Sequence, residues 1–195
     1  VQAFIRSLYE EVKTLDPDTL VTYVNYPSTE YLELPFLDLL CFNVYLESRD
    51  RQEAYLARLH NLAGDRPLIM AEYSHAMGNS NGTLGEYWDA FESTPGLQGG
   101  FIWEWRDHGL RQALPDGRTR WAYGGDFGEQ PHDGTFVTDG LNWPDLTPKP
   151  AMREAQYLNA PLRLTGVDAD AGTIELKSML HFRDTGWLVG RWELA

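Results

Sequence analysis

The sequence predicts an α/β fold made of βα units, half of a (β/α)8 barrel, with the opening of a separate β domain at its end. Three observations predict it. Helical and strand patterns alternate from residue 1 to residue 105. The strand segments are near-continuous apolar runs, as parallel strands covered on both faces require. After Leu162 the pattern changes to short segments separated by Gly and Asp. Four strands make half of a barrel whose eight units take roughly 250 residues.

Each element has its own reason. Phe4, Leu8, Val12 and Leu15, with Ile5 beside them, form one apolar helical face, and Asp16-Pro17-Asp18 ends that helix. Leu20 to Tyr26 is β-branched and aromatic, a strand. Thr29 to Leu34 reads as a short helix and Leu39 to Tyr45 as the second strand. Arg51 to Leu62 is a helix with Tyr55, Leu59 and Leu62 inward, stopped by Gly64-Asp65. Pro67 to Glu72 is the third strand. Leu84, Tyr87, Trp88 and Phe91 make the next helical face, and Leu97 to Trp105 the fourth strand. Residues 106–146 read as one long loop rich in Gly, Asp, Trp and Pro, and such loops tend to be functional. Pro148 to Asn159 is a last helix, with Met152, Ala155 and Leu158 along one face. Leu162 and Leu164, then Ile174 and Leu176, then Trp187 to Leu194 read as short strands. The expected division is therefore 1–160 and 161–195.

Composition excludes several classes. With 195 residues, 43% of them hydrophobic, the chain can bury a core and is not disordered. Its net charge of −13 leaves no basic face for nucleic acid or for an anionic membrane. No apolar run is long enough to span a bilayer. Cys41 is the single cysteine, so no intrachain disulfide can form. Val1 is not a start Met, the first residues already read as helix and the last still read as strand, which fits a segment of a larger protein. There is no signal-peptide pattern, and a cytoplasmic location is the expectation.

In parallel α/β proteins the chemistry lies at the carboxyl ends of the strands. Here those ends read Asn25-Tyr26, Asn43-Val44-Tyr45, Glu72-Tyr73-Ser74-His75 and Trp103-Glu104-Trp105. Polar and aromatic residues thus follow apolar runs four times, a pattern that suits a sugar, whose C–H faces pack on rings and whose hydroxyls bond amides and carboxylates. Glu72, delivered to the mouth of the sheet by Leu68-Ile69-Met70-Ala71, is placed to attack an anomeric carbon; the other reading is a carboxylate that caps the next turn or pairs with an Arg. Tyr45 is either a hydroxyl that orients that carboxylate or a core aromatic. His75 is either a ligand for a substrate hydroxyl or a loop histidine, and Trp103 either a sugar platform or a core Trp. Asp126, Glu129, His132, Asp133 and Asp139 share one loop and read as mostly solvated charges. No HExxH and no paired-Cys spacing occurs, which argues against a transition-metal site.

Several motifs carry a family resemblance. Glu72-Tyr73-Ser74-His75-Ala76-Met77-Gly78-Asn79-Ser80 resembles the nucleophile motif of glycoside hydrolase family 2, in its large β-galactosidase branch. Gln98 to Asp107 is similar to that branch's eighth barrel strand, Tyr123 to Gly128 and Asp139-Gly140-Leu141 to its following loop, and Thr147-Pro148-Lys149-Pro150 to the start of its last helix. Asp38 to Tyr45 is closer to the family's glucuronidase-like members. The resemblance implies the carboxyl-terminal half of a TIM barrel, followed by the first strands of a β-sandwich. It implies a retaining β-galactosidase, with Glu72 as nucleophile, Tyr45 as its hydroxyl neighbour, and His75 and Trp103 as galactose-binding residues. The Phe136 carbonyl and the Asp139 side chain fall where the family holds sodium; Asp139 stands where that branch often has Asn, adding a charge. The family's acid/base Glu lies in an Asn-Glu pair, and none occurs in these 195 residues. That Glu and the magnesium ligands near it are expected upstream of Val1, and Glu104 is read as a carboxylate behind the site. The expected partner is a β-galactoside, with the full-length protein a homo-oligomer. Two other readings stand beside this one: another family 2 glycosidase, glucuronidase- or mannosidase-like, and a catalytically inert sugar-binding or structural fragment.

Overall fold

The computed structural model describes residues 1–25, 34–45, 49–191 and 193. The chain divides into two compact units, 1–154 and 155–195. In the first, strands β1 (Val24–Asn25), β2 (Leu40–Val44), β3 (Leu68–Tyr73) and β4 (Leu97–Ile102) pair in sequential order, all parallel. Helix α1 (Gln2–Leu15) precedes β1, α2 (Arg49–Ala63) lies between β2 and β3, and α3 (Leu84–Ser93) between β3 and β4. The helix α4 is Pro150–Leu158. This is the α/β alternation that the apolar runs require.

The core lies on the helix side of the sheet. Leu68, Met70 and Tyr73 of β3 are buried there, and the Tyr73 ring meets Tyr87 and Phe91 of α3 at 5.0 and 5.2 Å. Leu56 and Leu59 of α2 and Leu84 of α3 are also buried. Gly100 allows the β3–β4 approach: a Cβ there would lie 2.7 Å from that of Met70. Adding a methyl to such a contact costs about 1–3 kcal/mol.

Four sequence expectations are corrected. In α1 the buried side is Ile5 with Tyr9, because Leu34, Phe36 and Leu37 pack on that side, whereas Phe4 and Leu8 are exposed. Among the described residues, strand β1 is two residues long, since Val21 and Thr22 direct their bonds to the Asp38 side chain and the Leu39 carbonyl. The loop 106–146 contains an antiparallel hairpin, β5 (Leu110–Ala113) with β6 (Thr119–Ala122). In the second unit β7 (Leu162–Asp168) pairs antiparallel with β8 (Thr173–Ser178), but Trp187 to Arg191 form no strand. There the chain turns: Asp184 accepts from the Gly186 amide and the Trp187 indole, and the Leu188 amide donates to Thr185. The expected helix at 29–33, Tyr26 and the strand residues Trp192, Leu194 and Ala195 lie outside the described residues, as does the Leu62 side chain.

Candidate active site

Glu72 reaches the inner face of the sheet through an irregularity in β3. Met70 pairs with Phe42 and Glu72 with Asn43, so Ala71 is an extra residue opposite β2. The β4 side registers the same insertion, with Met70 opposite Gly100 and Tyr73 opposite Ile102. Strict alternation would put Glu72 on the face of Leu68 and Met70, against the helices. The bulge resets the phase, so Tyr73 is buried with Leu68 and Met70 while Glu72 takes the face of Ile69.

At that face the Tyr45 hydroxyl donates to Glu72 Oε2. The Tyr45 ring stands edge-on to His75 at 5.5 Å, and Phe136 stacks on the imidazole at 5.3 Å. Behind the imidazole lies Asp139, only 2% exposed. Its Oδ2 accepts the Trp103 indole N–H at 3.0 Å and lies 3.5 Å from His75 Nε2. Tyr45, Glu72, His75, Trp103, Phe136 and Asp139 therefore form one connected cluster. The loop 123–139 divides accordingly: Glu129, His132 and Asp133 are exposed, as expected of most of these charges, whereas Asp139, which the resemblance singled out as a cation ligand, is buried. Glu104 joins from behind. Burial raises its carboxyl above the ordinary range and contact with the Asp139 carboxyl raises it further, while His108 at 3.0 Å pulls the other way. The peptide between Trp103 and Glu104 is cis.

Two supports went unread in the sequence. Ser74 turns the chain back after β3 with φ of 53°, a left-handed conformation that non-glycine residues rarely adopt. The buried Asn81 amide holds that turn, donating to the Ser74 carbonyl at 2.9 Å and its hydroxyl at 3.2 Å. On the other side Asp107, 1% exposed, accepts Lys149 Nζ at 2.6 Å and the Gly140 amide at 2.8 Å through one oxygen. Gly140 is the one residue type that fits, because a Cβ would lie 2.2 Å from the Arg106 and Asp107 backbone. The Asn-x-Asn spacing after the Glu72 motif and the Lys after Thr147-Pro148 were the available signals. A cavity of about 590 Å³, lined by Ala76, Asn79, Asn81, Asp107, Trp143 and Lys149 among others, adjoins these supports; Glu72 does not line it.

Among the described residues no group of three or more His, Cys, Asp and Glu could hold a metal ion, and no helix is long and apolar enough to cross a membrane. Asp139 Oδ1 is nevertheless buried with no hydrogen-bond partner.

Comparison with known proteins agrees with this architecture. The chain is 40% identical to a β-galactosidase of Aeromonas hydrophila subsp. hydrophila over 97% of its own length and 19% of that protein's. It is 56% identical to a β-galactosidase of Photobacterium profundum over 62% of its length and 12% of the relative's. The chain thus spans at most about a fifth of the length of these curated relatives. Among solved structures, a β-glucuronidase of Bacteroides uniformis superposes with a TM-score of 0.59 at 20% identity, over 83% of this chain and 21% of that one, a likeness of fold. The family model described as glycosyl hydrolases family 2, TIM barrel domain, matches residues 1–164. The four parallel strands are therefore part of a TIM barrel, and the chain belongs to glycosyl hydrolase family 2.

Proposed function

We propose that this chain carries the nucleophile half of a retaining β-galactosidase site that acts on terminal β-D-galactosides. The observation that carries the reading is Glu72 at the carboxyl end of β3, engaged by the Tyr45 hydroxyl and flanked by His75 and Trp103. The β-galactosidase relatives support the sugar. In this reading a Glu72 oxygen attacks C1 and the bond from C1 to the aglycone oxygen breaks. The leaving oxygen takes its proton from an acid to which no residue of this chain is assigned. Water then attacks C1, giving its proton back to that acid, and the bond from C1 to Glu72 breaks. Tyr45 holds the carboxylate, His75 bonds a sugar hydroxyl and Trp103 supplies a face for the ring.

The family resemblance also implies sodium beside the sugar. The Asp139 carboxylate, with one buried oxygen unpartnered, and the Phe136 carbonyl fit a hard cation that takes oxygen ligands. Bound there, sodium would supply fixed positive charge toward a sugar hydroxyl. The magnesium ligands are assigned outside this chain. A β-sandwich beginning with β7 and β8, and a homo-oligomeric full-length protein, belong to the same proposal.

The test is mass spectrometry of the full-length protein trapped with a 2-fluoro galactoside. The label is expected on the peptide containing Glu72. A label elsewhere overturns the assignment, and trapping by a 2-fluoro glucuronide but not the galactoside overturns the sugar.

A further inference from the structure

Asn43 lies level with Glu72 across the β2–β3 pair. Leu40 and Phe42 pair with Leu68 and Met70, so those residues share the helix face, and Asn43 shares the inner face with Glu72. Adjacent parallel strands run about 4.8 Å apart, within reach of a short amide beside a carboxylate. The Ala71 insertion makes Glu72, rather than Ala71, the neighbour of Asn43.

Asn43 is an uncomfortable residue for that place. Its Oδ1 is buried with no hydrogen-bond partner. A buried polar atom left unpaired is costly, and a leucine of nearly the same shape would avoid the cost. Tyr45 reaches Oε2 of Glu72, which leaves the amide of Asn43 to serve the other oxygen. The two ends of the amide exchange by a half-turn about χ2, which brings either oxygen or N–H to a given point.

We propose that Asn43 is a second positioning residue for Glu72: its amide N–H donates to Oε1 while Tyr45 holds Oε2, so that the carboxylate is fixed by two donors when substrate excludes water. The inference deepens the function proposed above and rests on it. It makes no demand on the sugar, because the amide acts on the nucleophile and not on a hydroxyl.

The experiment measures the rate at which a 2-fluoro galactoside labels Glu72 in the full-length protein, over a range of inhibitor concentrations. Asn43→Leu keeps the shape and removes both the donor and the unpaired oxygen. Its labelling rate at saturation is expected to fall about ten- to a hundredfold, with the half-saturating concentration unchanged and the melting temperature equal to or above wild type. A purely structural role would not slow labelling in a protein that is no less stable. If Asn43→Leu does not fold, Asn43→Asp reads the same rate, and its like charge beside Glu72 is expected to slow labelling at least about tenfold. Wild-type rates in the folded variants, or a loss confined to the half-saturating concentration, overturn the inference while leaving the proposed function intact. A wild-type protein that takes no label at Glu72 overturns both.

Discussion

Tyr45 shows how one side chain can be tested apart from the fold. It is 37% exposed, so removing its hydroxyl leaves no buried gap. Tyr45→Phe in the full-length protein is expected to lower kcat about ten- to a hundredfold, the size of one lost hydrogen bond to a charged group, with the melting temperature unchanged. Steady-state kinetics beside a thermal melt check both halves. Lys149 is the opposite case. It neutralises Asp107 in a site where both side chains are largely buried, 12% and 1% exposed. Lys149→Met strands that carboxylate without its cation, at an expected cost of about 3–5 kcal/mol. The Gly140 amide, which donates to Asp107, is the local reporter: its hydrogen exchange is expected to accelerate by orders of magnitude, and unchanged protection refutes the clamp. At this scale the sequence was legible where a polar residue follows an apolar run, as at Glu72 and His75. Asp139 was singled out only through the family resemblance, and its burial was not legible, because a carboxylate in a loop of charges gives no sign of burial until its indole partner is known. Asn81 was missed for a related reason: an amide that props a turn looks like any loop amide.

The elements were read well where burial is two-sided. Strands β2, β3 and β4 announce themselves as apolar runs, and their order follows from the helices between them. The hairpin β5–β6 did not, because LRQA and TRWA are mostly exposed and show no alternation. The bulge at Ala71 was equally hidden, since an inserted residue changes register without changing composition. The link between α1 and the start of β2 yields a pH prediction. Asp38 is held below its ordinary value of 3.8, chiefly by the Val21 amide and then by Lys13 at 3.0 Å, with burial opposing. Its folded value lies below its unfolded one, so the stabilisation is fully present above 3.8 and fades as pH falls through the lower folded value. Asp38→Asn is expected to flatten the acid limb of stability, with the wild-type melting curve descending toward that of the variant below about pH 4. Parallel curves across that window would refute it.

At the largest scale, chemistry gathers at one end of the sheet β1-β2-β3-β4. Much of that end is built from a single excursion of chain, from Glu104 out through the hairpin and back to Asn142. Its base is closed by Glu104 N–H to Asp139 O and Leu141 N–H to Glu104 O, both 2.8 Å, and by Gly140 N–H to Asp107. His108 N–H donates to Val137 O at 2.8 Å, the last rung before the chain diverges. The tip between β5 and β6 is a loop whose ends are already fixed by the Ala113–Thr119 pairing. Lengthening such a loop costs only chain entropy, about 0.6 kcal/mol for each doubling. In the full-length protein, extending the exposed tip at Pro115-Asp116-Gly117 by ten glycine and serine residues is therefore expected to leave kcat for the substrate proposed above within about twofold and lower stability by under about 1 kcal/mol. A large loss of activity would show that the hairpin itself touches substrate. If the pairing holds, the hairpin tip is free ground: a turn where length and composition can drift, or be rewritten by design, while the carboxylate beneath Trp103 stays where it is.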